Sequence, residues 1–230
     1  MNTDKDFIKL NELFNKDTWV IDDSFLKEDT CRILYNCLNN LDPSWWYHSS
    51  VTNEGKKEIR YRSEGYKMIE KRREEALQLF STSTGYSYSF DRTVGDHYLN
   101  CSCEICNFEK NIIQSQKFLD YIKTISGFDD IKLGTFFFTR YKGGDFLYPH
   151  TDSPNGKIAV VLHITKNWKP WYGGNLLILD KNWENIRKTF TPKYNSMIIM
   201  NIEGSINPHL VSFIPEEVKE FRYSMVCWFN

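Results

Sequence analysis

Leu133–Asp152 reads LGTFFFTRYKGGDFLYPHTD, two runs rich in β-branched and aromatic residues parted by Lys-Gly-Gly-Asp. Runs of this kind, bounded by turn-forming residues, read as short strands. Working toward the C-terminus, the same character recurs at Lys157–Thr165, Asn175–Asp180, Ser196–Ile202, Pro208–Ile214 and Phe221–Phe229, with Gly, Pro, Asn and Asp between. Together with Leu133–Tyr141 and Phe146–Thr151 they predict seven short strands, the density of a sandwich or jelly roll.

Working toward the N-terminus, the period changes. Residues 24–41, SFLKEDTCRILYNCLNNL, place Phe25, Leu26, Ile33, Leu34, Cys37, Leu38 and Leu41 on one helical face, with Ser24 as the candidate N-cap. Further helices are expected over Ser63–Phe80 and from Phe108 to about Ile125, the latter stopped by Gly127. The stretch TGYSYSFDRTVGDHY alternates like a strand. The fold class is therefore α+β, mainly β. A β core over 129–230 is buttressed on an outer face by helical support and substrate-side elements in 1–128. No repeat, low-complexity tract or linker divides the chain, so 1–230 is read as one domain.

The chain has 230 residues and is 41% hydrophobic, enough for one sizeable core. Its formal charge of −1 gives no broad attraction to nucleic acid or to an anionic membrane. The opening MNTDKDFIKL has no apolar signal region, and no stretch is long enough to cross a bilayer. A soluble cytoplasmic protein is expected, with no nucleic-acid or membrane partner; the oligomeric state stays open. Cytoplasmic cysteines default to free thiols, which suits Cys31, Cys37 and Cys227. His97, Cys101, Cys103 and Cys106 supply enough donors for a structural zinc, the alternative being free or transiently oxidised thiols.

The chemistry-bearing pair is His150-x-Asp152. On an extended strand both side chains project to the same face. His209, in the later run PHLVSFI, is the candidate third donor, since a jelly roll brings distant strands side by side. Two imidazoles and one carboxylate leave three octahedral positions open, the arrangement of non-haem Fe(II) oxygenases. The pair alone is weak evidence, because a His capping a strand and an Asp opening a turn look the same. Thirteen residues after His209, however, Arg222 and Ser224 share a strand face within FRYSMVCWF. Burying that Arg without an anion would be costly, so a carboxylate is expected to meet it. A dicarboxylic keto acid fits, with one end on the metal and the other on Arg222 and Ser224.

These residues resemble a known family. From Arg140 onward, RYKGGDFLYPHTD, GKIAVVLHITKNWKPWYGGNLLIL and PHLVSFIPEEVKEFRYSMVCWF resemble the double-stranded β-helix (jelly-roll, cupin-like) core of Fe(II)/2-oxoglutarate dioxygenases of the prolyl 4-hydroxylase-like group. Within it, the chain is most similar to the prolyl hydroxylases of ribosomal proteins and their small bacterial relatives. The resemblance implies His150, Asp152 and His209 as iron ligands and Arg222 as anchor of the distal carboxylate of 2-oxoglutarate. Tyr141 matches a tyrosine that hydrogen-bonds the same co-substrate, and Gly173-Gly174 a structural turn. It implies Fe(II), 2-oxoglutarate and O2, with ascorbate as reductant, and release of succinate and CO2. Arg in place of the Lys anchor of many animal and plant prolyl 4-hydroxylases points away from the collagen-type branch. Asp152 occupies the position that related halogenases leave to chloride, so hydroxylation is implied.

The expected activity is hydroxylation of a prolyl residue in a peptide or protein. A free amino acid or small metabolite is the rival substrate, and a non-catalytic jelly-roll binding module the rival class. Among the remaining residues, Arg92 reads as structural or surface, His163 as a satisfied core histidine, and His48 has no evident partner. Trp45-Trp46-Tyr47 could wall a substrate site, although aromatics are more often core.

Overall fold

The computed structural model describes residues 1–230 except 3, 63, 64, 83, 84 and 94–100. All seven expected strands are present: β5 (Leu133–Tyr141), β6 (Phe146–His150), β7 (Ile158–His163), β8 (Leu176–Leu179), β10 (Ser196–Asn201), β11 (His209–Val211) and β12 (Arg222–Phe229). They form a curled antiparallel sheet ordered β10-β7-β12-β5 on one side and β6-β11-β8 on the other, the double-stranded β-helix. β4 (Tyr88–Thr93) pairs with both β5 and β6 and so closes the two halves together.

Period-two alternation explains why these runs look continuously apolar. On β12, Tyr223, Met225, Cys227 and Phe229 enter the core shared with the helices, while Arg222, Ser224, Val226 and Trp228 line an interior cavity. β7 divides likewise, with Ile158, Val160 and Leu162 facing outward and Val161 facing the cavity. Strands covered on both faces carry hydrophobic residues at every position. Each large side chain buried there contributes about 1.5–3 kcal/mol.

The helices cover the outer face, as expected, with altered boundaries. α2 spans Glu28–Asn39 and has Lys27, without a side-chain bond, at its N-cap. Ser24 is no cap, because its hydroxyl accepts from Lys5 Nζ at 2.9 Å. α3 spans Tyr66–Ser81. The helix expected over 108–125 is broken into α4 (Glu104–Phe108), a π-helical turn at Glu109–Ile113, and α5 (Gln116–Ser126). Ser115 caps α5 by accepting from Phe118 N at 3.2 Å, and Gly127 ends it in the left-handed region at φ 73°.

The N-terminal part is less purely helical than the sequence suggests. It supplies helix α1 (Phe7–Asp17), strand β1 (Trp19–Asp22) paired to β10, and a hairpin of β2 (Trp46–Thr52) and β3 (Gly55–Arg60) that continues the sheet beyond β4. β9 (Ile186–Phe190) is a further unexpected strand, at the edge beside β8. Trp46 is fully buried against Tyr223 in the helix-facing core, so the Trp45-Trp46-Tyr47 run is no wall of the cavity. Gly173 has the structural role assigned to it. At φ 70° it passes so close to the backbone just beyond β11 that a Cβ would sit 2.0 Å from the Phe213 carbonyl oxygen.

Buried charge ties α3 to the sheet. Arg73 donates to Asp145 at 3.0 Å and to Asp91 at 3.1 Å, and Asp91 also accepts from Arg140 at 2.8 Å and from the Tyr61 hydroxyl at 2.9 Å. His48, which had no evident partner in the sequence, lies 3.1 Å from Asp91 through Nδ1. Among the described residues, no helix is long and apolar enough to cross a membrane.

Candidate metal centre

β6 ends at His150, and antiparallel pairing with β11 sets His209 directly opposite it. Asp152 follows on the turn, at the N-cap position of the 3₁₀ segment Ser153–Asn155 but with its side chain making no capping bond. The three side chains each direct one donor atom into a common space, all within 4.8 Å of one another. Asp152 stands 3.4 Å from His150 Nε2 through one oxygen and 3.5 Å from His209 Nε2 through the other. Cis ligands on metal bonds of about 2.1 Å lie about 3.0 Å apart, so an ion would need to draw these donors in by only tenths of an ångström.

The tautomers suit a metal. His150 Nδ1 donates to the Tyr148 carbonyl at 2.9 Å and His209 Nδ1 to the Asn207 carbonyl at 3.0 Å. Both rings are thus held with a bare Nε2 toward the centre. Burial alone would push the Asp152 carboxyl up, yet in the metal-free centre protonated His150 and His209 rings, donating through Nε2, hold it well below the usual carboxylate range. The Trp228 indole N–H donates to Asp152 Oδ2 at 2.9 Å. Sequence reasoning missed that contact, although Trp228 lies on the same face of β12 as Arg222 and Ser224.

The centre opens into a cavity of about 320 Å³. At its other end, Arg222 is 2% exposed, and its Nε has no hydrogen-bond partner among the described residues. One arm donates to Ser224 Oγ at 3.1 Å, and Ser224 in turn lies 3.0 Å from Thr139 Oγ1. Tyr141 covers the guanidinium, its ring centroid 5.0 Å from Cζ. Burial lowers the Arg222 pKa to about 10, with Tyr141 acting in the opposite direction. No carboxylate among the described residues pairs with it. A cationic group left orphaned at the bottom of a cavity fits an anionic ligand from outside. The residues present therefore fit both a first-row metal and a dicarboxylate.

Two other readings change. His163 is buried on the cavity-facing side of β7, but neither ring nitrogen has a partner among the described residues, so it is not the satisfied histidine expected. Burial, with the charge of Arg222, drives its pKa well below the ordinary value and keeps the ring neutral. Arg92 lines the cavity mouth, paired to Glu58 at 2.7 Å and lying 5.0 Å over the Phe137 ring. His97, named with the cysteine cluster, lies outside the described residues.

A double-stranded β-helix with a His-Asp-His cluster at one end of its interior and an unpaired arginine at the other defines a non-haem iron, keto-acid-dependent class of protein. Residues 136–230 match the 2OG-Fe(II) oxygenase superfamily. That region carries the His-Asp-His cluster and Arg222, and it is similar to 2-oxoglutarate-dependent oxygenases, a family that works with Fe(II), 2-oxoglutarate and O2. No curated protein sequence gives a significant match. Among solved structures, the chain is similar to a 2OG-Fe(II) oxygenase family oxidoreductase from Burkholderia pseudomallei, with TM-score 0.66, 10% identity and coverage of 100% of this chain and 93% of that one. It is also similar to a prolyl hydroxylase in complex with a hypoxia inducible factor oxygen degradation domain peptide fragment from Trichoplax adhaerens, with TM-score 0.62, 16% identity and coverage of 99% and 94%. A third likeness is to the non-heme alpha ketoglutarate dependent epimerase SnoN of nogalamycin biosynthesis, with TM-score 0.60, 10% identity and coverage of 97% and 82%. At these identities the likenesses concern the fold.

Proposed function

We propose that the protein hydroxylates an unactivated C–H bond, with a prolyl residue of a peptide or protein as its substrate. In this reading His150, Asp152 and His209 hold Fe(II), while Arg222, Ser224 and Tyr141 receive the distal carboxylate of 2-oxoglutarate. The whole chain, 1–230, acts as one cytoplasmic dioxygenase domain, since β1 and the β2–β4 strands pair into the same sheet as the core.

The observation that carries the peptide reading is the surface beside His150 and Asp152. Tyr86, Tyr148, Pro149 and Trp183 line an open groove there together with His150 and Asp152. An extended chain laid along aromatic and proline faces could present one side chain to the metal. Arg222 as anchor agrees with the ribosomal-type and bacterial branches. The peptide in the Trichoplax neighbour and the small-molecule chemistry in the name of the epimerase mark the two substrate classes in play. Arg92, Glu58 and Lys56 at the cavity mouth are the feature that favours the second, because such charges could hold a free amino acid at both ends.

Held by His150, Asp152 and His209, Fe(II) would let O2 serve as the oxidant, with 2-oxoglutarate and the substrate C–H bond each giving two electrons, one oxygen atom ending in succinate with loss of CO2 and the other in the substrate. The protein's own part is positional. Carbonyl-held imidazoles present neutral nitrogen, the ionised Asp152 adds one negative charge, and Arg222 fixes the co-substrate from the far end. Leu176, Val161 and Val211 make the intervening wall apolar and keep water from it.

The test is anaerobic titration of the protein with Fe(II) and 2-oxoglutarate, followed by the metal-to-ligand charge-transfer band. The band and succinate formation in air are expected, with ascorbate present, and both should vanish in Asp152→Ala. Persistent turnover in that variant would remove Asp152 from the centre. No band and no succinate in the native chain would leave a jelly-roll binding module. Mass spectrometry of cellular peptides and metabolites for the gain of one oxygen atom then separates the substrate classes.

A further inference from the structure

A second three-donor cluster lies away from the cavity. Cys101, Cys103 and Cys106 bring their sulfur atoms within 4.8 Å of one another, although they come from a loop and the first turn of α4. Cys103 and Cys106 sulfurs are 3.5 Å apart, and the Cys103 backbone N–H donates to Cys101 Sγ at 3.4 Å. We propose that these three thiols, as thiolates, bind one zinc ion independently of the iron centre.

Geometry favours a metal over a disulfide. Tetrahedral zinc with Zn–S bonds of about 2.3 Å sets sulfur atoms about 3.8 Å apart, close to the separation of Cys103 and Cys106. A disulfide would use two of the thiols and leave the convergence of the third without a purpose. The backbone N–H aimed at Cys101 Sγ is a bond that favours thiolate over thiol. Cys101 and Cys103 keep partial exposure while Cys106 is buried, so an ion can enter from solvent and still be anchored in the core. On binding, each thiol gives up its proton and forms one metal–sulfur bond, with no change of oxidation state. Three protein ligands leave one position for water or a further donor.

The site also meets a structural need. α4 has five residues and passes straight into a π-helical turn, a segment too short for helix formation alone to sustain. A zinc ion held by Cys101, Cys103 and Cys106 would brace the start of this segment from within. Cys101 follows by eight residues Thr93, the end of β4, which carries Tyr88, Phe90 and Arg92 on the cavity wall.

The iron centre can itself take zinc, so the test uses the full chain carrying His150→Ala and Asp152→Ala, purified under a thiol reductant that does not chelate metal. That protein is expected to retain about one equivalent of zinc, to lose it when Cys103→Ser or Cys106→Ser is added, and to shield three thiols from alkylation while zinc is bound. Should the serine variants fail to fold, cobalt(II) titration of the parent protein reads the same site, through sulfur-to-cobalt charge-transfer absorption that imidazole and carboxylate ligands cannot give. Absence of zinc and of that absorption, or a Cys103–Cys106 disulfide in protein kept under reductant, would overturn the proposal.

Discussion

Arg73 and Arg222 are both buried guanidiniums, and the fold provisions them in opposite ways. Arg73 on α3 has two fully buried carboxylates, Asp145 and Asp91, within 3.1 Å, and the Tyr61 hydroxyl at 3.0 Å. Burial alone would lower its pKa, yet Asp145 and Asp91 hold it well above the ordinary value. Arg222 on β12 has one serine hydroxyl and a free Nε, and burial prevails there. An arginine that fastens helix to sheet is folded together with its anions. One that lacks them, at the end of a cavity, is made to take an anion from solution. The contrast separates scaffold from site more reliably than burial does, because both groups are buried to a similar degree.

The largest effect that can break the contrast is on the closed cluster. Asp91→Asn removes a charge shared by Arg73 and Arg140 and weakens the bonds from Tyr61 and His48, leaving Arg140 without its carboxylate and Arg73 without one of its two buried ones. Breaking a buried pair by removing one partner costs about 3–5 kcal/mol. Urea unfolding should show a loss of this size, and a loss under about 1 kcal/mol would mean that the cluster is not the fastening described here.

Arg222→Ala sharpens the other side. Hydrogen bonds to a charged group contribute about 1.5–3 kcal/mol, so the dissociation constant of 2-oxoglutarate should rise about 10–150-fold. Unfolding stability without co-substrate should stay level or increase, since the variant no longer buries an unpaired charge. Calorimetric titration and urea unfolding of the same variant check both halves. A stability loss as large as that of Asp91→Asn would make Arg222 structural.

How much could be read beforehand follows from where the information lies. The strands of the core were legible because both their faces are covered, which writes apolar residues into Phe136–Phe138, Ile158–Leu162 and Met197–Met200 without a break. His150, Asp152, Arg222 and Ser224 were legible because each pair is local and period two puts both members on one face. The β2–β3 hairpin and β9 were not. Their strands GKKEIR and IRKTF are largely exposed, and they are specified by the neighbours they pair with. Ser24 carried the right signal for a helix cap and was taken by Lys5, a contact between residues 19 apart. Arg92 met no motif, because its partner Glu58 lies 34 positions away. Its place at the cavity mouth comes from the β2–β4 pairing, which no local pattern encodes.

Trp228 gives the smallest of the expected effects and the finest test of how the open cluster is organised. Period two alone puts it on the face of Arg222 and Ser224, and its indole N–H is fixed on the Asp152 oxygen that also faces His209. Trp228→Phe keeps an aromatic ring against Phe137 while removing the only indole donor to that carboxylate among the described residues. Outer hydrogen bonds to metal ligands are typically worth 10–100-fold in metal affinity, and a single neutral donor belongs at about tenfold. Activity should therefore fall at limiting Fe(II) and recover at excess, with 2-oxoglutarate binding at saturating metal unchanged. If excess iron does not restore turnover, the indole acts on the substrate side of the cavity. The organisation of the carboxylate would then rest on His150, His209 and Asn155 alone.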